Sequence, residues 1–260
     1  MPRARPRAAI LMLLASAMIL AGCNKTTGQL GPASSLSTAS TTPLSLDALA
    51  ELGDKWQANP KDASKGLAYA NGLESLGQKD EALNVYQKLF EADPANAKVA
   101  GLYGRKMVSA GKADQAIPML EDAEKHGDTD WRVMSALGTA YDQKGLYQKA
   151  REQYSKVLSS DPQNLAVMNN LAMSYALEGN LKQAEAELRA ADAFPRSKSE
   201  PRIRQNLALV IGLQGRFDEA TTLAQQDLPP EQVQENMAYL KKMLSQPNTW
   251  QQISDSGSQG

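Results

Sequence analysis

"WRVMSALGTAYDQKGLYQKAREQYSKVLSSDPQN", residues 131–164, reads as two amphipathic helices joined at a glycine. Leu137 and Tyr141 are four residues apart and share one helical face, while Gly138 and Ala150 are small enough to let two helices approach closely. Gly145 stands where the first helix must turn into the second, and Asp161-Pro162 stops the second, since proline cannot continue a helical hydrogen-bond ladder and restricts the residue before it. The same landmarks recur along the chain. Gly77, Gly111, Gly145 and Gly179 are 34 residues apart and Gly215 follows after 36; Ala48, Ala82, Ala116, Ala150, Ala184 and Ala220 keep the same steps.

A 34-residue period with Leu137-Gly138, Tyr141, Gly145, Ala150, Tyr154 and Pro162 in this order resembles the tetratricopeptide repeat. The expected fold is therefore all-α, a tetratricopeptide-repeat α-solenoid over residues 44–248. It comprises an N-terminal half-repeat helix over 45–58, five units at 63–96, 97–130, 131–164, 165–198 and 201–234, and a C-terminal capping helix. That helix starts at Pro230-Glu231 and carries Val233, Met237, Leu240 and Leu244 as an apolar stripe. One unit cannot bury its apolar face alone, so stacked neighbours close the core. The departures are local. Tyr69-Ala70 replaces Leu-Gly in the first unit, the second lacks a closing proline and holds Pro118 inside a helix, and a two-residue insertion falls in "PRSKSEP" (195–201).

Outward from the repeats, the front of the chain has a different composition. Arg3, Arg5 and Arg7 precede an apolar stretch from Ala8 to Leu20 and the small pair Ala21-Gly22, the order of a secretory signal. As a helix the stretch would be roughly 20 Å long, too short for the hydrocarbon of a bilayer. Leu20-Ala21-Gly22-Cys23 resembles the bacterial lipobox, in which a diacylglycerol is attached to the cysteine and the signal is cut before it. Cys23 is the only cysteine, so a disulfide within the chain has no second partner, and a cysteine metal site normally needs several ligands. The reading is a lipoprotein signal peptide over 1–22, then the lipidated, palmitate-bearing Cys23 and a flexible Ser/Thr-rich tether over 23–43. An ordinary signal peptide that happens to contain a cysteine, or a retained short anchor, are the alternatives. Asn24 follows the cysteine where aspartate would retain many lipoproteins at the inner membrane, which favours the outer membrane. Residues 249–260 are expected to form a disordered tail.

Loss of three arginines with the signal takes the formal charge from −1 to −4, which gives no basic excess for nucleic acid. The one histidine, His126, falls in "EKHGDTD" at the expected end of a helix, where a terminal or solvated role is expected. The carboxylates around it, Asp122, Glu124, Asp128 and Asp130, lack the spacing of a calcium loop. No phosphate-binding loop is present. No catalytic residues, metal, cofactor or small-molecule substrate are expected. Binding is the capacity of stacked helices, whose first members line a concave surface. Register places Lys98, Arg105, Arg132, Asn169, Asn170, Met173, Leu177, Arg202 and Asn206 toward that partner-binding groove, together with Asn71, Leu209 and Leu213. Leu209 and Leu213 could equally be packed under the cap. Asn170 and Asn206 occupy equivalent positions, from which tetratricopeptide domains often bind a peptide backbone.

The C-terminal stretch "PRIRQNLALVIGLQGRFDEATTLAQQDLPPEQVQENMAYLKKMLSQPNTW" (201–250) resembles the end of the TadD family, the tetratricopeptide lipoproteins of tight-adherence (Flp) pilus assembly. The resemblance rests on "RQNLALV", "GLQG", "DLPPE" and the cap helix. It implies a non-enzymatic lipoprotein of the Gram-negative outer membrane, facing the periplasm, that binds pilus secretion proteins, most plausibly the secretin. The alternatives are a type IV pilus pilotin or another envelope scaffold that recruits peptidoglycan enzymes.

Overall fold

The structure, a computed structural model, describes residues 44–245. The expected signal peptide, Cys23, the expected tether and the expected tail lie outside the described residues, as do residues 246–248 of the expected repeat domain. Every regular element among the described residues is helical, and no helix there is long and apolar enough to cross a membrane. The described chain divides into two compact units, 44–99 and 100–245.

In the smaller unit, α1 (Leu46–Gln57) is the expected half-repeat helix, and α2 (Ala63–Ser75) with α3 (Lys79–Ala92) form the first helix pair. Ser45 caps α1 by accepting the Ala48 N–H, and Asp62 caps α2 by accepting those of Ser64 and Lys65. Trp56 and Tyr69 place their rings 5.8 Å apart, so aromatic packing joins α1 to α2. Between α2 and α3, buried Ala70 stands in the register of Gly138, and the Tyr86 hydroxyl donates to Asn71. Asn71, placed toward the groove by register, therefore holds its own repeat together.

The larger unit takes in most of α4 (Ala97–Ser109) and then α5 (Ala113–Lys125), α6 (Trp131–Gln143), α7 (Tyr147–Ser160), α8 (Leu165–Glu178) and α9 (Leu181–Asp192). A 3-10 turn at Pro195–Ser199 leads into α10 (Pro201–Leu213), α11 (Phe217–Ala224) and α12 (Pro230–Leu244). Asp130, Asn164 and Asn180 cap α6, α8 and α9 with side-chain oxygens. The expected glycine turn is present at Gly145, whose φ of +71° is costly for any residue with a Cβ. There the Leu146 N–H reaches back to the Tyr141 carbonyl at 2.9 Å and satisfies an acceptor that the helix end would otherwise leave open. Helix α5 continues through Pro118.

Packing explains the repeat residues. A Cβ on Gly138 would lie 2.5 Å from the Tyr154 ring, so glycine here is a seat for an aromatic ring from α7. Gly104 and Leu120 make the same contact one repeat earlier. Tyr154, Leu120, Leu137, Leu188, Leu207 and Ile211 are fully buried, and burial of each of the leucine and isoleucine side chains is worth roughly 1.5–3 kcal/mol of transfer free energy. The cap closes the far end: Val233 packs with Ala208 and Ala224, Met237 lies against them, and a Cβ on Gly212 would meet Leu240.

The insertion has its own anchor. Arg204 of α10 meets Asp227 through Nε–Oδ2 at 2.8 Å and a second nitrogen–oxygen contact at 2.5 Å, and donates to the carbonyls of Ser197 and Lys198 in the 3-10 turn. Ser197 is itself buried and donates to the Asp192 carbonyl.

Candidate functional site: the layer of first helices

Within the 100–245 unit, the first helices of successive repeats touch one another directly, α6 against α8 and α8 against α10. Asn170 of α8 donates from Nδ2 to Ser135 Oγ of α6 at 3.0 Å. Asn206 of α10 repeats the arrangement by donating from Nδ2 to Asn169 Oδ1 of α8 at 2.7 Å. Successive first helices thus share a polar link drawn from equivalent positions.

The residues expected in the groove divide into three groups. Arg132 and Arg202 are exposed at the N-terminal ends of α6 and α10; Arg132 Nη1 lies 3.3 Å from Asp130 and its guanidinium 4.9 Å from the Trp131 ring centre. Arg105, Asn170, Leu177, Asn206 and Leu209 are half-buried. Asn169, Met173 and Leu213 are buried, which makes them core residues under the face rather than part of it. Lys98 is exposed on the stretch of α4 that belongs to the smaller unit.

At its other end the α6–α8 contact holds a carboxylate that register reasoning passed over. Asp142, only 5 % exposed, accepts hydrogen bonds from the Tyr154 hydroxyl at 2.8 Å and the Ser174 hydroxyl at 2.6 Å. Burial pushes its carboxyl group up to about 7, against the opposing pull of the two hydroxyls and of Arg151. The signal was available in the spacing: Asp142 follows Gly138 by four residues and so shares the face on which Tyr154 sits.

The acidic turn is used for folding. His126 ends α5 with Nδ1 2.9 Å from the Asp122 carbonyl and its ring half exposed. Glu124 pairs with Lys156 at 2.7 Å, Asp128 accepts the Asp130 N–H, and Asp130 caps α6. Among the described residues no cluster of His, Cys, Asp and Glu could hold a metal ion.

Two family models, each described as a tetratricopeptide repeat, match residues 73–139 and 135–198. Residues 73–198 are tetratricopeptide repeats. With the helix pairs that flank them, the described residues form a tetratricopeptide-repeat α-solenoid. Among curated proteins the chain is 30% identical over 131 residues to the small glutamine-rich tetratricopeptide repeat-containing protein 2 of Mycosarcoma maydis, covering 48% of this chain and 37% of that protein. It is 35% identical over 132 residues to the cellulose synthase operon protein C of Escherichia coli K12, covering 48% of this chain and 11% of that protein. The chain thus matches well under half of the length of either relative. Among solved structures it is similar to PilW, described as a widely conserved type IV pilus biogenesis factor, with a TM-score of 0.60 at 18% identity, covering 76% of this chain and 90% of that one. At that identity the likeness is one of fold.

Proposed function

We propose that this protein is a non-enzymatic scaffold that binds a protein partner on the first-helix face of the 100–245 unit, is anchored to the outer membrane through lipid on Cys23, and assists assembly of a tight-adherence pilus secretion apparatus. The observation that carries the binding role is the face itself: exposed Arg132 and Arg202 flank half-buried Asn170, Asn206 and Leu209 on adjacent helices. Guanidinium groups at the rim attract acidic residues, and the amide and apolar positions between them suit an extended chain. The pilus role and the secretin as partner are supported by the resemblance of residues 201–250 to the TadD family. The likeness in fold to PilW favours a second reading, a factor of a type IV pilus.

Surface-immobilised binding kinetics with the pilus secretin test the partner and the face together. Arg105→Glu with Arg132→Glu is expected to slow association about tenfold at low salt and to flatten its salt dependence, since exposed charges act chiefly through steering. Wild-type kinetics in this variant would remove the face from the binding site, and absence of binding by the wild type would remove the secretin as partner.

The anchor is tested separately. In cells given a labelled fatty acid, the wild-type chain is expected to take up label and Cys23→Ser to take up none. Equal labelling of the two, or no label in the wild type, would refute lipidation at Cys23.

A further inference from the structure

Under the first-helix face, α6 and α8 are joined by two polar links, Asn170 to Ser135 toward one end and Ser174 to Asp142 toward the other. The second differs in kind because it contains an ionisable group removed from water. Around Asp142 the partners are hydroxyls: Tyr154 from α7 and Ser174 from α8, with Thr139 of α6 itself 3.3 Å from the Tyr154 oxygen. Among the described residues no ion pair involves Asp142.

Charged groups on the neighbouring helices are already committed. Arg151 of α7 forms a two-pronged pair with Glu178 of α8, at 2.8 and 3.3 Å, and stacks its guanidinium 4.7 Å from the Tyr175 ring centre. Its attraction for Asp142 is partly offset by the weaker repulsion from Glu178. From α5, Glu121 accepts the Tyr141 hydroxyl, and on the α4 side Gln143 donates to the Val108 carbonyl, so neither link reaches the Asp142 carboxyl. Nothing in this surrounding set holds Asp142 in its charged form as a salt bridge would.

Both protonation states can nevertheless be hydrogen-bonded, because a hydroxyl donates and accepts. With Asp142 ionised, Tyr154 and Ser174 each donate to it. With Asp142 protonated, its O–H can donate to Ser174, whose own proton turns to the carbonyl one helical turn back, while Tyr154 continues to donate to the other carboxyl oxygen. A buried carboxyl that keeps its partners in both forms, and pays desolvation in only one, favours the neutral form.

We infer that Asp142, Tyr154 and Ser174 form a buried proton-binding site that tightens the α6–α7–α8 stack as the medium turns mildly acidic. Uptake of one proton by the Asp142 carboxylate removes a buried charge and leaves no polar atom unpaired. The direction of the linkage follows. Folding raises the carboxyl from its ordinary 3.8 to about 7, so the stabilisation is complete below about pH 4 and lost as pH rises to 7. Between those limits the folded-to-unfolded ratio gains up to tenfold for each unit of acidification, about fifty-fold from pH 7 to pH 5.

Denaturant unfolding of the full chain at pH 5, 6, 7 and 8 tests this, comparing wild type with Asp142→Asn, which keeps the shape and removes the charge. The gap in stability between the two is expected to change about fifty-fold between pH 7 and pH 5, the wild type gaining on the variant as pH falls. A constant gap would overturn the proposal. Carbon-13 NMR of the Asp142 carboxyl in the folded wild type decides the matter even if the variant does not fold: a midpoint near 7 supports the site, and one below 5 overturns it.

Discussion

Replacing Tyr154 with alanine is expected to cost about 3–5 kcal/mol, the range for removing a large buried aromatic side chain. Tyr154 is 1 % exposed, its ring lies on the bare backbone of Gly138, and its hydroxyl serves the Asp142 carboxyl. Glycine opposite the ring leaves no side chain that could relax into the space, so the cavity remains. Against a typical domain stability of about 5–15 kcal/mol, that loss moves the thermal midpoint substantially. Circular dichroism during heating measures it. Tyr154→Phe separates the two contributions, because it keeps the ring and deletes only the hydrogen bond. Its cost should be about 1–3 kcal/mol at pH 8, where the buried carboxylate loses a donor, and smaller at pH 5. A cost below 1 kcal/mol for Tyr154→Ala would mean that the Gly138–Tyr154 contact does not hold the repeat together.

Arg204→Ala is expected to have an effect of similar size by a different route. The Arg204 and Asp227 side chains are only 11% and 7% exposed, and removal of the guanidinium takes the partner from the Asp227 carboxylate and a donor from the Lys198 carbonyl, while the Ser197 carbonyl keeps the Glu200 N–H. Breaking a buried ion pair from one side costs about 3–5 kcal/mol, whereas replacing both partners by well-packed apolar residues is often neutral. Arg204→Met combined with Asp227→Leu should therefore recover most of the stability lost in Arg204→Ala. Chemical denaturation of the three chains gives the comparison. A double variant as unstable as the single one would show that Arg204 acts through the 3-10 turn rather than through Asp227. The reason to expect a local consequence is geometric, since the same guanidinium ties α10, the end of α11 and the inserted turn together.

The second-repeat proline and the acidic turn show how far local reasoning carries. Pro118 removes one N–H from α5 and the helix runs on, as the surrounding apolar positions require. His126 stands at a helix end as its place before Gly127 suggests, and Asp130 caps the helix that it precedes. These outcomes depend on neighbours a few residues away, and the chain order records them directly.

Read alone, the chain specifies the helices, their pairing and their turns, because a 34-residue period makes every repeat pose the same short-range problem: a glycine with positive φ, a small residue where helices meet, and an apolar face of 3.6-residue period. It also determined that Gly138 must be small. The reason lies in the packing, since the Tyr154 ring that needs the space comes from the next helix. Packing separated buried Asn169 and Met173 from half-buried Asn170 and Asn206, and committed the amides of those two to Ser135 and Asn169 of the preceding repeats. A rotation of one residue along a helix turns a side chain through about 100°, so packing against a neighbour 35 or 37 residues away settles which polar group meets water and which meets another. Asp142 is the extreme case: an acidic residue that register reasoning passed over is a buried carboxyl because α7 and α8 close over it.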